Sequence, residues 1–381
     1  MRSFSVIAQL ILLTLSFSTF AQPRLSDESR ITLLTCGPGE ELYSVFGHTA
    51  IRVQDPMNHI DVVYNYGTFD FNTPNFYLKF VKGDLQYLLS NSTFDDFLYT
   101  YQHYNRDVFE QELNLTTAQK QQVLNELEAV ISSDRRFYTY KFIDRNCTTM
   151  AGDLISQYAG VKISMENADK GKTNRRIIYE YLHNKFYESL GINLMFGYKT
   201  DTEMDRLFLP RQLMEGLANT KTTSGPLAKQ AVTLYKSTSE ERLSAWNNIY
   251  TFTIACILLI VLSRKKLLAR TYLAITGLLG IVFLSMAFYS LHSELQLNYN
   301  TLLFNPIFLV LLGFTFAGKN KAALITGYLC LAGVLLHLVL LIGKPHFVMF
   351  LPLTALTGTI LFRAIAALKK NRYCKSLKNG F

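Results

Sequence analysis

At Trp246 the chain changes character, and the residues beyond it fix the architecture of the last third. Apolar stretches run over residues 247–263, 272–291, 302–317, 322–342 and 347–368. A bilayer core offers no water to backbone N–H and C=O groups, so apolar stretches of about 20 residues can cross it only as helices. The third stretch is short and carries Pro306, which reads as a kinked or re-entrant segment. Basic residues decide how these helices thread. Arg264, Lys265, Lys266 and Arg270, then Lys319 and Lys321, then Arg363 to Lys378 fall on one side, and the opposite loops hold only Lys344. Five crossings with a cytoplasmic C-terminus satisfy that pattern and place residues 22–246 outside the cytoplasm. The beginning agrees: Arg2, an apolar run from Val6 to Phe17, and small residues Thr19 and Ala21 ahead of Gln22 read as a secretory signal cleaved after Ala21. The expected division is a signal peptide over 1–21, an exported domain over 22–246, a helical membrane region over 247–370 and a basic cytoplasmic tail over 371–381.

Charge follows the same division. The net charge of +9 conceals thirteen Lys/Arg against one acid, Glu294, from Ile249 onward, while acids outnumber bases before it. The basic excess belongs to the membrane half, so it gives no reason to expect a nucleic-acid partner. Of five cysteines, Cys256 and Cys330 lie in apolar helices and Cys374 in the tail. Cys36 and Cys147 belong to the exported part, where an oxidising compartment allows them to pair. A reactive Cys147 has to stay free.

The exported part mixes strand and helix patterns, an α+β composition. Arg30–Thr35 reads as a strand closed by Cys36-Gly37-Pro38-Gly39. Residues 43–53 (YSVFGHTAIRV) and 61–67 (DVVYNYG) read as a hairpin turning at Asp55-Pro56-Met57-Asn58. Pro74–Lys82 reads as a helix, Asp84–Ser90 as a strand, Thr93–Tyr104 as an aromatic-rich helix and Asp107–Leu115 as a strand; Thr116 caps a helix running to Ile131. Arg136–Ile143 reads as a strand. Met150, Leu154, Ile155 and Tyr158 then recur at helical spacing until Gly160. Arg176–Leu190 and Glu203–Leu217 complete the pattern as polar helices.

Cys147 falls at the junction between strand 136–143 and the next helix. Free amides and the positive end of a helix dipole favour a thiolate there, and Arg145 adds to the effect if its side chain turns inward. A lone cysteine is usually inert, and a lone strand histidine is usually structural. His48 on a strand and Cys147 at a helix start become a thiol/imidazole pair only together, with His48 taking the proton. A third group has to orient the imidazole. If the hairpin turns near residues 55–60, Asn65 lies opposite or diagonal to His48 on the same face. Asp61 lies about six residues farther along, roughly 20 Å at ~3.3 Å per residue, and becomes the orienting group only if the hairpin slips. There is no HExxH, no Gly-rich phosphate loop and no CxxC, so neither a metal nor a nucleotide is expected, and thiol chemistry requires no cofactor. On the membrane side, His292, Asn298, Asn300 and Asn305 form a polar run at the start of the third span. Polar groups at that depth are costly and often functional, which makes the run a candidate substrate-binding face.

These residues carry a resemblance. A strand-borne His before a helix-borne Cys reverses the papain and NlpC/P60 order and is similar to the circularly permuted papain-like group that includes lecithin:retinol acyltransferase, whose nucleophile also follows an Asn. More closely, CGPGEELYSVFGHTAIRV, DVVYNYGTFDF and RNCTT resemble the Lnb N-terminal periplasmic domain family, whose members join this domain to a helical membrane region. The resemblance implies a lipoprotein N-acyltransferase of the bacterial inner membrane with its catalytic domain in the periplasm. It would take an acyl chain from a phospholipid and pass it to the amine of a diacylglyceryl-cysteine lipoprotein. Carried over, the nucleophile is Cys147 and the base His48, with Tyr43, Arg145 and Asn146 as supporting candidates from the matching motifs. The orienting residue carries over less directly, because related acyltransferases often place a second histidine where Asn65 stands. A membrane-anchored cysteine peptidase or amidase would use the same pair on an amide. A non-catalytic envelope protein would bury Cys147 away from His48.

Overall fold

The structure is a computed structural model that describes residues 24–238 and 244–378, with side chains to 371. The expected signal peptide therefore lies outside the described residues. The N-terminal region is a mixed α/β unit: β1 (Arg30–Cys36), β2 (His48–Asp55), β3 (Ile60–Thr68), α1 (Phe76–Lys82), β4 (Gln86–Thr93), α2 (Phe94–His103), β5 (Val108–Glu112), α3 (Thr117–Ile131), β6 (Phe137–Thr139), α4 (Cys147–Ala159), α5 (Asn174–Tyr181), α6 (Phe186–Met195), α7 (Pro210–Asn219), the small hairpin β7 (Lys221–Thr222) and β8 (Gly225–Pro226), and β9 (Val232–Tyr235). Seven strands form one antiparallel sheet in the order β6-β4-β3-β2-β1-β5-β9.

Alternation along the central strands sends two sets of side chains to opposite faces. Ile31, Leu33, Ile51, Val53 and Tyr64 pack with α3 and α4 in the main core. Leu34, Cys36, Ala50 and Val63 pack beneath Phe97 and Tyr101 of α2. His48 stands directly across from Cys36 in the β1–β2 ladder. Gly47 makes this close start possible: its φ is +85°, and a Cβ there would lie 2.5 Å from the Cys36 carbonyl oxygen.

The strand expected over 43–53 begins only at His48, with residues 43–46 in turns, and three further expected elements differ. Strand 136–143 shrinks to β6, because residues 141–145 close on themselves through paired Lys141 and Arg145 backbone hydrogen bonds of 3.0 Å. The helix expected over 176–190 breaks between Tyr181 and Phe186 into α5 and α6. The helix expected from Glu203 begins only at Pro210, which sits at the first helical position and disfavours a helical residue before it.

The C-terminal region is helical: α8 (Ile249–Leu262), α9 (Lys266–Tyr289), α10 (Ile307–Phe316), α11 (Asn320–Leu341) and α12 (Phe347–Lys378). Among the described residues, four segments are long and apolar enough to cross a membrane: 266–289, 293–316, 320–341 and 347–371. The second of these counts only with the two 3₁₀ turns at 293–302 that precede α10, so its regular helix is short, as Pro306 suggested. α8 has 14 residues, about 21 Å at ~1.5 Å each, less than a bilayer core of roughly 30 Å. The five expected helices thus stand in the expected order, with α8 shorter than the four segments of spanning length. α8 lies along α12, where Arg363 Nη1 donates to the Ile260 carbonyl and to Ser263 Oγ.

Loops 290–306 and 342–346 meet the N-terminal region through a dense polar seam. Asn298 Nδ2 donates to the Leu194 and Met195 carbonyls at 2.8 and 3.0 Å, and Asn300 Nδ2 to those of Asn193 and Leu194 at 2.8 and 3.0 Å. These are the carbonyls that the end of α6 leaves without helical partners. Arg175, 1 % exposed, pairs with Asp201 at 2.6 Å, and Lys344 reaches the same carboxylate from the membrane side.

Candidate active site

Four elements converge on one end of the sheet. β2 brings His48, β3 brings Asn65, β6 brings Tyr138 and α4 begins at Cys147. The β2–β3 register pairs Ile51 with Tyr64 and Gln54 with Asp61, which sets Asn65 diagonal to His48. His48 Nε2–H donates to Asn65 Oδ1 at 3.3 Å, leaving Nδ1 as the ring nitrogen for Cys147. The imidazole also lies nearly parallel to the Tyr101 ring, 12° apart, with centroids separated by 6.5 Å. Next to Asn65 the β3–β4 ladder slips by one residue, and Gly67 in that bulge has φ +94°. A Cβ on Gly67 would lie 3.7 Å from Cys147 Cβ and 3.9 Å from the Tyr138 hydroxyl. The missing side chain leaves a space that both groups border.

Cys147 is half-buried and, like Cys36, a free thiol. Burial pushes its pKa up. The charge of a His48 imidazolium, a hydrogen bond to that ring, and hydrogen bonds from the Thr49 amide and the Thr148 hydroxyl outweigh burial and hold the thiol below its ordinary value. Cys36, fully enclosed, is pushed the other way, to about 12, chiefly by desolvation. One thiol is primed and its neighbour is held protonated.

Asn146 is an N-cap. Its Oδ1 accepts from the Thr148 and Thr149 amides, both at 2.9 Å, and its Nδ2 donates to the Phe142 and Phe208 carbonyls. The cap fixes the start of α4 but takes two of the amides that a helix start would offer to an anion. The Cys147 amide is the one at that start which the cap does not use. We expect Asn146→Ala to lower stability by about 1–2 kcal/mol and to slow Cys147 alkylation, read by thermal unfolding and a thiol-reaction rate.

The remaining candidates lie elsewhere. Asp61 is committed to a two-point ion pair with Arg52, whose guanidinium also meets Glu110 and stacks 3.4 Å over Phe94. Arg145 is exposed, its guanidinium over the Tyr138 ring instead of turned toward the thiol. Tyr43 is exposed and edges onto Phe69. The polar run read as a substrate face is used inside the protein. Asn298 and Asn300 cap α6, and Asn300 Oδ1 meets His337 Nε2 at 3.0 Å. His292 Nε2 meets the Phe80 carbonyl at 3.0 Å, and Asn305 Oδ1 accepts from the Ile307 amide.

Two residues escaped the sequence reading. Tyr138 is buried, and its hydroxyl has no hydrogen-bond partner among the described residues. Glu294, 1 % exposed, accepts a hydrogen bond from the Ile143 amide at 3.0 Å and so braces the loop before Cys147 from the membrane region. No spacing rule links Glu294 to a loop 151 residues earlier. Beside His48 and Asn65 opens a cavity of about 400 Å³ whose far wall includes Ser90, Ser92, Asp96 and Thr100. Among the described residues no three His, Cys, Asp or Glu side chains converge on a metal position.

Comparison with known proteins places this site in a family. No curated protein and no solved structure matches the chain. Residues 22–181 match the Lnb N-terminal periplasmic domain, and residues 243–372 match the Lnb transmembrane domain. The two matches fall in the two regions described above, in that order, with residues 182–242 between them. The chain is a membrane protein of the Lnb family with a periplasmic N-terminal domain.

Proposed function

We propose that the protein is a thiol-dependent acyltransferase that carries an acyl chain from a phospholipid, through a thioester on Cys147, to the N-terminal amine of diacylglyceryl-cysteine lipoproteins at the inner membrane. One observation carries the reading: a thiol whose pKa an imidazole lowers opens α4 directly after a loop braced by the membrane region. His48 before Cys147 in the chain also fits a circularly permuted papain-like fold of NlpC/P60 type.

The chemistry balances without a cofactor. With its proton on His48, the Cys147 thiolate attacks the ester carbonyl carbon. The Cys147 amide and the Tyr138 hydroxyl are the donors positioned to receive the oxyanion. Collapse breaks the C–O bond, and the lysophospholipid oxygen leaves with the proton from His48. An amine then attacks the thioester and gives its proton to His48, and the C–S bond breaks to leave an amide and the thiolate. Asn65 holds the ring throughout. Water has to be excluded between the two steps, or the thioester hydrolyses.

A second reading has its own support. The cavity beside His48 is lined by hydroxyls and Asp96, which suits a peptide as well as an amine acceptor. A cysteine peptidase or amidase would use it directly. Intact mass decides between them. Phospholipid should add one acyl chain to Cys147, and added diacylglyceryl lipopeptide should discharge it as N-acyl product. Tyr138→Phe should slow the adduct's formation by about 10²-fold, as removal of an oxyanion donor does. An adduct that only water removes would sink the transferase reading, and cleavage of a peptide amide would establish the second.

A further inference from the structure

α1 is a seven-residue helix, FYLKFVK, with an apolar surface turned outward. Tyr77 is 77 % exposed, Leu78 72 %, and Phe80 and Val81 are also exposed, with Phe71 beside them. A water-facing helix of this composition would be a liability. Its position supplies the reason. The carbonyls at its C-terminal end are taken by the segment just beyond membrane helix α9. Ser290 Oγ donates to the Val81 carbonyl at 2.9 Å, the Leu291 amide to that of Lys82 at 2.7 Å, and His292 Nε2 meets that of Phe80. Gly83 lets the two segments touch, since a Cβ there would lie 2.8 Å from the His292 ring. α1 therefore rests on the periplasmic end of α9. Its exposed residues continue the apolar surface of Phe288, Tyr289 and Leu291, which are exposed on that end. Tyrosines and lysines beside an apolar face are the composition of a helix at a lipid headgroup boundary. Lys79 gives α1 the sign that phosphates attract, while the Lys82 charge is answered by Asp84.

The surface also leads inward. Phe80 lies 6.4 Å from Phe76 between ring centroids, Phe76 lies 5.8 Å from Phe69, and Phe69 is two residues from Gly67 beside Cys147. We infer that α1 lies in the outer headgroup layer of the bilayer and that the Phe80–Phe76–Phe69 row receives the acyl chain of a glycerophospholipid on its way to Cys147. The second half of this inference rests on the acyltransferase reading; the first does not.

The experiment has two arms. Trp246 is the only tryptophan, so Leu78→Trp in a Trp246→Phe background reports from α1 alone. In vesicles of phosphatidylcholine brominated near the headgroup, its fluorescence should be quenched at least about twofold more than that of Tyr104→Trp in the same background. Tyr104 is a control exposed on another part of the domain, just beyond α2. Equal quenching of the two would overturn the membrane placement, whether or not the protein is a transferase. In the second arm, Leu78→Asp is compared with wild type for Cys147 acylation by vesicle phospholipid and by a short water-soluble ester. The ratio of the first rate to the second should fall about tenfold or more. A ratio equal to wild type would overturn the acyl route. Quenching of the Leu78→Trp reporter as expected, with wild-type protein never acylated, would leave α1 at the membrane and reject the reading of Cys147.

Discussion

Iodoacetamide should alkylate Cys147 along a titration whose midpoint lies below the ordinary thiol value of about 8.5. His48→Ala should move that midpoint above it. The sign follows from the forces on the thiol. Burial alone raises its pKa, and His48 leads the groups that bring it down. In wild type the thiolate is present above the lowered pKa and is lost as pH falls through it. Without the imidazolium, burial prevails and the thiolate appears only in alkaline solution. Raising the midpoint by one pH unit leaves about a tenth as much thiolate at neutral pH. Turnover should suffer far more, on the order of 10³-fold or greater for loss of either Cys147 or His48, because the pair acts together. Asn65→Ala should retain more activity than either, since Asn65 orients the ring without exchanging its proton. Asp61→Ala should affect stability rather than turnover, because Asp61 answers Arg52 at the far end of the hairpin. A midpoint that His48→Ala leaves in place would remove His48 from the mechanism.

Asp201→Ala should lower stability by about 3–5 kcal/mol, the usual result of stripping a buried ion pair of one partner. Asp201 is the one carboxylate that both Arg175 and Lys344 reach. Arg175 has other acceptors, Asn193 Oδ1 and the Phe196 and Gly197 carbonyls, but all are neutral. Losing Asp201 would leave two cations facing each other across the seam between the domain and the bundle. Thermal unfolding in detergent or nanodiscs measures the effect, and a loss under about 1 kcal/mol would show that water or lipid screens the pair.

Much of this architecture was readable residue by residue. Thr116 and Gln119 form the reciprocal cap that begins α3, Gly160 ends α4 at φ +67°, and the turn after Asp55 set a register that brought Asn65 to His48. These signals are local, acting over a few residues or one hairpin. The misses came from contacts between distant segments. Residues 140–143 continue a strand pattern, yet residues 141–145 fold into a closed loop held by Glu294 from the other region. The asparagines at the third span read as a binding face because polar groups near a bilayer need partners. Their partners are the carbonyls of α6, which no pattern in the span reveals. Tyr138 looked like one more strand aromatic; only the fold shows its hydroxyl unpartnered among the described residues, beside Gly67. Pro210 was a missed local signal, since the rule that starts a helix there was available.

Glu294 bears on how far this protein can be taken apart. Two family descriptions match residues 22–181 and 243–372, as if the chain were two modules. The site does not respect that seam. The loop before its nucleophile donates a hydrogen bond into the second module, and the helix that Asn298 and Asn300 of that module finish lies in the stretch between the two. A domain transplanted onto a foreign bundle would arrive with Ile143 unsatisfied and α6 open-ended unless those three side chains travelled with it. For inheritance and for engineering alike, the working unit runs past the junction, at least to residue 300.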